Sequence, residues 1–359
     1  MTRTLLYDKL AGMGATMGEY CGAQTARSYG NPRAEFAALL RGCAIYDLGW
    51  RTFFRVSGRD RARWLNNMVS NNVRDLPAGN GNYSFLLSAQ GHIQGDLYVF
   101  NREAEFVAAT ESGQFEKILL WLRKYIIMDQ VELTDLREEL TALGIQGPQA
   151  HKVLEQAGVP GPFPGVLQLA EREWHGRGVF LTRKRFEAYE IWMRPQEIPA
   201  SWDLLVAAGA TPAGTEALEM FRVAAGVPRF GLDIRERDLP QETGQMQALN
   251  FAKGCYIGQE IVERIRSRGS VHRTFTGFAL EGALPPAGSK LQANGKELGE
   301  ITSALPVPTA RGDRTLALGY VRREAAKPGS ALQAGETSVF VTALPFPEIF
   351  SLESLNYAK

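Results

Sequence analysis

The chain patterns as an α+β protein that ends in a small all-β domain. Three observations predict this. Residues up to about Gly231 alternate strand patterns with amphipathic helical ones. Past about Thr274 the strand patterns continue with no helix of any length. The 359 residues exceed one ordinary core, and roughly 150 residues per domain implies two or three domains.

In order along the chain, Met1 to Trp50 reads as helices with loops, one helix covering Glu35 to Arg41. Arg51 to Val56 reads as a strand. Ser57, with Asp60 three residues on, has the form of a capping box opening a helix with Ala62, Leu65, Met68 and Val69 on one face and an end near Asn71 or Asn72. Strands follow at Tyr83 to Leu87, Leu97 to Phe100 and Phe106 to Ala109, separated by glycine-containing turns. Ser112 starts a helix in which Phe115, Ile118, Leu119, Leu122 and Ile126 recur as one buried stripe. Val131 to Leu133 and Leu140 to Ile145 are strands, and Pro148 and Gly158 bracket a short helix. In the last part, Phe275 to Leu280, Lys290 to Gln292, Glu297 to Ser303, Thr315 to Val321 and Ser338 to Leu344 read as strands. Asn294-Gly295 is the dipeptide of a type I′ hairpin.

Composition narrows the function classes. At 45% hydrophobic and 22% charged the chain is globular, and 40 basic against 39 acidic residues leave no global field for nucleic acid or an anionic membrane. The first ten residues mix Arg3, Asp8 and Lys9 among apolar ones, and no apolar run approaches the ~20 residues that span a bilayer; the expectation is a cytoplasmic protein without membrane contact. Cys21, Cys43 and Cys255 form no C-x-x-C pair, and His92, His151, His175 and His272 have no metal-ligand spacing, so no metal site is expected.

The segment Lys253-Gly254-Cys255-Tyr256-Ile257-Gly258-Gln259-Glu260 carries the clearest chemical signal. A helix beginning near Gly258 would put Ile257, Ile261 and Ile265 on one face, with Cys255 just before the helix N-terminus beside Lys253. That position favours thiolate over thiol; the alternative is a small buried hydrophobe. Arg264, Arg266, Arg268, His272 and Arg273 form a local basic patch, read either as a solvated face paired with Glu260 and Glu263 or as a dock for carboxylates or phosphates. It lacks the aromatics that single-stranded nucleic acid binding uses, so RNA or tRNA binding draws on charge alone. Asp96, after the turn Gly91-His92-Ile93-Gln94-Gly95, can accept a ligand N–H or act as a base, or can serve turn chemistry. The run Gly12 to Gly18 lacks both the G-x-G-x-x-G spacing and a phosphate-loop lysine.

The octapeptide Lys253 to Glu260 resembles the signature K-G-C-Y-x-G-Q-E of the YgfZ family, folate-binding proteins linked to synthesis and repair of iron–sulfur enzymes. The wider resemblance is to the glycine-cleavage T-protein (aminomethyltransferase) superfamily. It runs through Gly14-Ala15-Thr16-Met17, Asp47-Leu48, Val56 to Asp60, Gly91 to Leu97, Tyr189-Glu190-Ile191, Phe221 to Pro228 and Leu344-Pro345-Phe346. It implies a three-domain cloverleaf around tetrahydrofolate: a discontinuous α+β domain of residues 1–51 and 139–255, an inserted α+β domain of 52–138, a connecting helix with the basic patch at 256–273, and a C-terminal β-barrel at 274–359. By the same resemblance Asp96 is the acidic position near the folate's reactive nitrogen, and Cys255 is the functional thiol. Arg222 helps hold the ligand, and Glu187, Tyr189, Lys253, Tyr256, Gly258 and Gln259 complete the cofactor-binding set. The Arg264/Arg268 face would meet the glutamate tail, and iron–sulfur client enzymes or their assembly factors would be partners. The sequence departs from T-proteins in two places. Arg185-Phe186-Glu187-Ala188 stands where they carry G-E-D-G, with Phe186 at the pterin-binding glutamate unless the register slips to Glu187, and Ala224 replaces an acidic residue. Both departures bear on aminomethyl transfer, the alternative function, more than on folate binding.

Overall fold

Hydrogen-bonded pairing sorts the strands of the computed structural model, which describes residues 2–269, 271–310 and 312–350 apart from the Arg268 side chain, into four sheets. The chain divides into two compact units. Among the described residues, one comprises those up to Ser84 with Asp96–Leu218, and the other comprises Phe85–Gly95 with Glu219–Phe350.

In the first unit a six-stranded sheet runs in the order Leu169–Trp174, Arg177–Lys184, Ala188–Met193, Thr141–Gln146, Ala44–Asp47 and Thr211–Pro212. One face buries Ile45, Leu143, Ile145, Leu181, Tyr189 and Ile191 against Leu10, Val153, Leu154, Trp202 and Leu205 of three helices. Each such side chain contributes roughly 1.5–3 kcal/mol on burial. The other face meets a five-stranded sheet, ordered Gly81–Leu87, Ile93–Asn101, Phe106–Glu111, Arg51–Ser57 and Glu132–Asp135. Trp192 stacks there on Phe53 and Phe100, ring centroids 4.7 and 5.1 Å away. Period-two alternation sends the next residue, Phe54, to the opposite face, where Phe115 of the helix Ser112–Arg123 covers it.

Several elements differ from the sequence reading. The opening fifty residues are not all helix and loop: Thr16–Tyr20 and Ala23–Ser28 form a hairpin, with Thr2–Arg3 paired beside them. Its turn, Cys21-Gly22, has φ of 50° and 88°, the conformation of an Asn-Gly turn reached by a pair that does not announce it. The helix after Ser57 runs Arg61–Met68 with Asp60 at its N-cap, and no capping box forms because Asp60 Oδ2 accepts the Gln130 N–H instead. It stops before Asn71, where Asn66 and Asn71 side chains take backbone groups for themselves. The Ser112 helix buries its stripe through Leu122, and Ile126 lies beyond its end.

The second unit contains a closed barrel of Arg273–Glu281, Gly312–Arg322, Lys296–Thr309, Lys290–Ala293, Ala331–Ala334 and Thr337–Thr342. Asn294 and Gly295, at φ 51° and 73°, make the expected hairpin. Ala331–Ala334 is a strand that its Ala-Leu-Gln-Ala sequence does not signal. The expected last domain reaches Lys359, and its residues 351–359 lie outside the described ones. No helix among the described residues is long and apolar enough to cross a membrane.

Candidate functional site

Asp96 is the fourth residue of the strand Ile93–Asn101, so alternation puts Asp96, Tyr98 and Phe100 on one face. The neighbouring strand brings Tyr83 and the helix Ser112–Arg123 brings Gln114. Tyr83 OH donates to Asp96 Oδ2 at 2.5 Å, and Gln114 Nε2 donates to Oδ1 at 2.6 Å. The Asp96 N–H in turn donates to Gln114 Oε1. Asp96 is therefore half-buried and held in place from both sides, which is more than turn chemistry requires. Burial pushes its carboxyl above the usual carboxylate range, against the pull of the Tyr83 and Gln114 hydrogen bonds and of Arg51. Burial also pushes Tyr98 up to about 12.

The facing sheet completes the cluster. Glu190 is buried; its Oε1 lies 3.4 Å from the Arg51 guanidinium, and its Oε2 accepts Trp192 Nε1–H at 3.0 Å and lies 4.0 Å from Lys184 Nζ. Lys184 Nζ stands 3.2 Å from the Tyr98 ring centroid, and Tyr83 and Tyr98 stack 5.0 Å apart. Burial alone would raise the Glu190 carboxyl, but Lys184 and Arg51 outweigh it and hold the group below its ordinary value. Lys184 goes the other way: burial pulls its ammonium down to about 7, with Arg51 adding and Glu190 opposing. Two donors in this cluster, Lys184 Nζ and Arg51 Nε, are shielded from water and have no hydrogen-bond acceptor among the described residues. Buried donors in this state are uncommon in folded proteins.

The structure brings Asp96 together with Glu190 of the strand Ala188–Met193 and turns Tyr189, expected from the sequence, to the other face. Tyr189 is 2% exposed and packs in the hydrophobic core with Ile191 and Met193; Glu190 and Trp192 point to the cluster. Phe186 and Glu187 sit at φ 60° and 51° in the preceding turn, where Glu187 pairs with Arg183 and hydrogen-bonds to Tyr189. Tyr83, Tyr98, Arg51, Lys184 and Glu190 were missed, although counting in twos from Asp96 reaches Tyr98, and counting in twos back from Trp192 reaches Glu190.

In the second unit the octapeptide is a built turn. Gly258 has φ 83° and caps the helix Gln259–Arg268; a Cβ there would come 2.5 Å from Ser88 O. A Cβ on Gly91 would meet Ile261 at 2.8 Å, so the two glycine-marked motifs pack on each other. Gln259 Oε1 accepts the Tyr256 N–H, Lys253 Nζ sits 4.9 Å from the Tyr256 ring, and Tyr256 is buried, which pushes its hydroxyl up to about 12. These four residues hold the turn, and Cys255 is exposed on it, which overturns the buried-hydrophobe alternative.

Arg222 is in the same unit, and its five N–H groups all have acceptors: both Glu219 carboxylate oxygens, Asp233 Oδ2, Val227 O and Ser303 Oγ. Any part it plays toward a ligand runs through the groups it holds. The basic patch is smaller than its sequence suggests. Arg273 is paired with Asp238, Glu242 and Glu300, and Arg266 with Glu263 and Phe251 O. Arg264 and His272 are exposed, and the Arg268 side chain lies outside the described residues.

Residues 6–253 match the family described as GCVT N-terminal domain, and residues 271–346 match the CAF17 C-terminal beta-barrel domain. The chain is similar to the aminomethyltransferase of Rubrobacter xylanophilus, 28% identical over 90% of this chain and 88% of that one. It is also similar to the aminomethyltransferase of Thermus thermophilus, 27% identical over 91% and 93%. Among solved structures, glycine cleavage system aminomethyltransferase T from Bartonella henselae superposes with a TM-score of 0.87 at 23% identity over 96% of this chain and 98% of that one, which shows a shared fold.

Proposed function

This chain belongs to the GCVT N-terminal domain family, within the T-protein superfamily, and from that premise we propose that it is a cytoplasmic, tetrahydrofolate-binding accessory protein for iron–sulfur enzymes, in the manner of the YgfZ branch. One observation carries the folate half: a half-buried cluster on facing sheets that combines two tyrosine faces, two carboxylates and two donors without acceptors. A reduced pterin is a flat ring with N–H groups along one edge and a carbonyl oxygen, and each of those features has a counterpart among Asp96, Glu190, Tyr83, Tyr98, Lys184 and Arg51. Bound folate supplies one-carbon chemistry; the protein orients it and keeps a proton-exchanging carboxyl, Asp96, nearby. Exposure of Cys255 on a rigid turn supports its role as a redox-active or transiently ligating thiol toward client enzymes.

Calorimetric titration with tetrahydrofolate tests the reading. Wild type is expected to bind, and Tyr98→Ala to bind at least tenfold more weakly; a wild type with no affinity for any reduced folate would refute it. For the accessory role, deletion in the host should lower cluster-dependent enzyme activities, restored by the wild-type gene and not by Cys255→Ala.

The second reading, a folate-dependent aminomethyl or related one-carbon transferase, draws on Asp96. A carboxyl raised by burial, as Asp96 is, suits proton exchange at a substrate nitrogen. Ammonia release from an aminomethylated lipoyl carrier protein, abolished by Asp96→Asn, would favour it.

A further inference from the structure

Lys184 is one of the residues of the cluster to which the sequence motifs assign no role. Its Nζ is shielded from solvent, points at the Tyr98 ring, and has only the Glu190 carboxylate 4.0 Å away, with no hydrogen-bond acceptor. As an ammonium, Lys184 offers donors alone, so only an acceptor can complete its charged form. Arg51 Nε on the facing sheet is in the same state, so the protein lacks an oxygen here, not another donor. Glu190 cannot serve both cations fully, since its oxygens already receive Arg51 and Trp192.

We propose that Lys184 is a specificity-determining residue of the folate site: its amine receives an acceptor oxygen of the ligand and takes up one proton from solvent as that oxygen arrives. This rests on the folate reading and adds to it a proton count and a pH dependence. In the ligand-free protein, burial removes the water that would stabilise an ammonium, and one carboxylate shared with Arg51 does not replace it; the resting group is the neutral amine in equilibrium with its cation around neutrality. An acceptor oxygen stabilises the ammonium more strongly than the neutral amine, so binding and protonation are linked. The groups facing Lys184 are Glu190 on the adjacent strand, Arg51 and Tyr98 on the facing sheet and, through these, Tyr46, Asp96 and Glu111. Of these, Asp96 can also exchange a proton, and it needs its own control.

The oxygen has two sources, the carbonyl of the pterin ring or a carboxylate of the glutamate tail. Both demand the same proton.

The test is calorimetric titration of the full chain with tetrahydrofolate at pH 8 in buffers of different ionisation enthalpy, which counts protons taken up. Wild type and Asp96→Asn should each take up close to one proton. Lys184→Met should bind more weakly and take up none; Lys184→Arg, always charged, should bind without uptake. Wild-type affinity should be about tenfold weaker at pH 8 than at pH 6, and that of Lys184→Arg flat over the same range. Repeating the count with 6-methyltetrahydropterin and with p-aminobenzoylglutamate assigns the oxygen to ring or tail, and uptake with either supports the proposal. Tetrahydrofolate binding by wild type without proton uptake and without pH dependence would overturn it and leave the folate reading standing; no binding at all would remove both.

Discussion

The Arg222 network in the second unit and the Lys184 cluster in the first are built from the same residue types, buried cations against buried carboxylates, and they are finished to different degrees. Arg222 spends every donor on protein acceptors, and Asp233 beneath it accepts from Arg222, Arg229 N, Thr302 and Ser303. Lys184 Nζ and Arg51 Nε have no hydrogen-bond acceptor among the described residues. A satisfied network rigidifies, while an unsatisfied one costs stability until something else completes it. That difference is what supports the proposal that the Lys184 cluster takes a ligand.

Substitutions should separate the two by sign. Arg222→Ala leaves Asp233 buried without its counter-charge and should destabilise by about 3–5 kcal/mol in urea denaturation; a loss under 1 kcal/mol would mean that the network is not structural. Lys184→Met should do the reverse and stabilise the ligand-free protein at pH 7 by roughly 2–4 kcal/mol, from about 1.4 kcal/mol per pKa unit. The depressed folded-state value means that Lys184 favours folding fully only above its unfolded value near 10.5 and loses that contribution as pH falls to about 7. The gain from methionine should therefore be greatest at and below pH 7 and fade toward pH 10.5. A gain equal at all pH values would show that packing, not charge, is at stake.

Much of the fold was legible in the sequence, whereas this contrast was not, and the reasons are physical. The barrel strands and the Asn294-Gly295 hairpin followed from alternation and turn chemistry, which are local. Asp96 stood out because glycines framed it. Glu190 and Lys184 did not, because their meaning depends on a facing sheet that brings Arg51 and Tyr98 from over a hundred residues upstream in the first case. Tyr189 was chosen over Glu190 for want of a register: a strand with one apolar and one polar face shows its site only once its inward face is known. The Cys21-Gly22 turn was missed because positive φ at a cysteine has no compositional cue.

The octapeptide sharpens the comparison from a third side, since its glycine is scaffold and its cysteine is not. Gly258→Ala forces a side chain into a left-handed conformation and onto Ser88 O, and should cost about 1–3 kcal/mol. Cys255→Ala should alter stability by less than about 0.5 kcal/mol, because the side chain is exposed. Thermal denaturation of the pair checks both, and a destabilising Cys255→Ala would return that thiol to a packing role.

Amide hydrogen exchange of the full chain with and without tetrahydrofolate reads out where the ligand sits. If the unmet donors mark the site, the ligand should slow exchange in Ile93–Asn101, Arg177–Lys184 and Ala188–Met193, and at a concentration that just saturates wild type the protection should be smaller in Lys184→Met. Protection confined to the Arg222 network or the barrel, with those three strands unaffected in wild type, would contradict it.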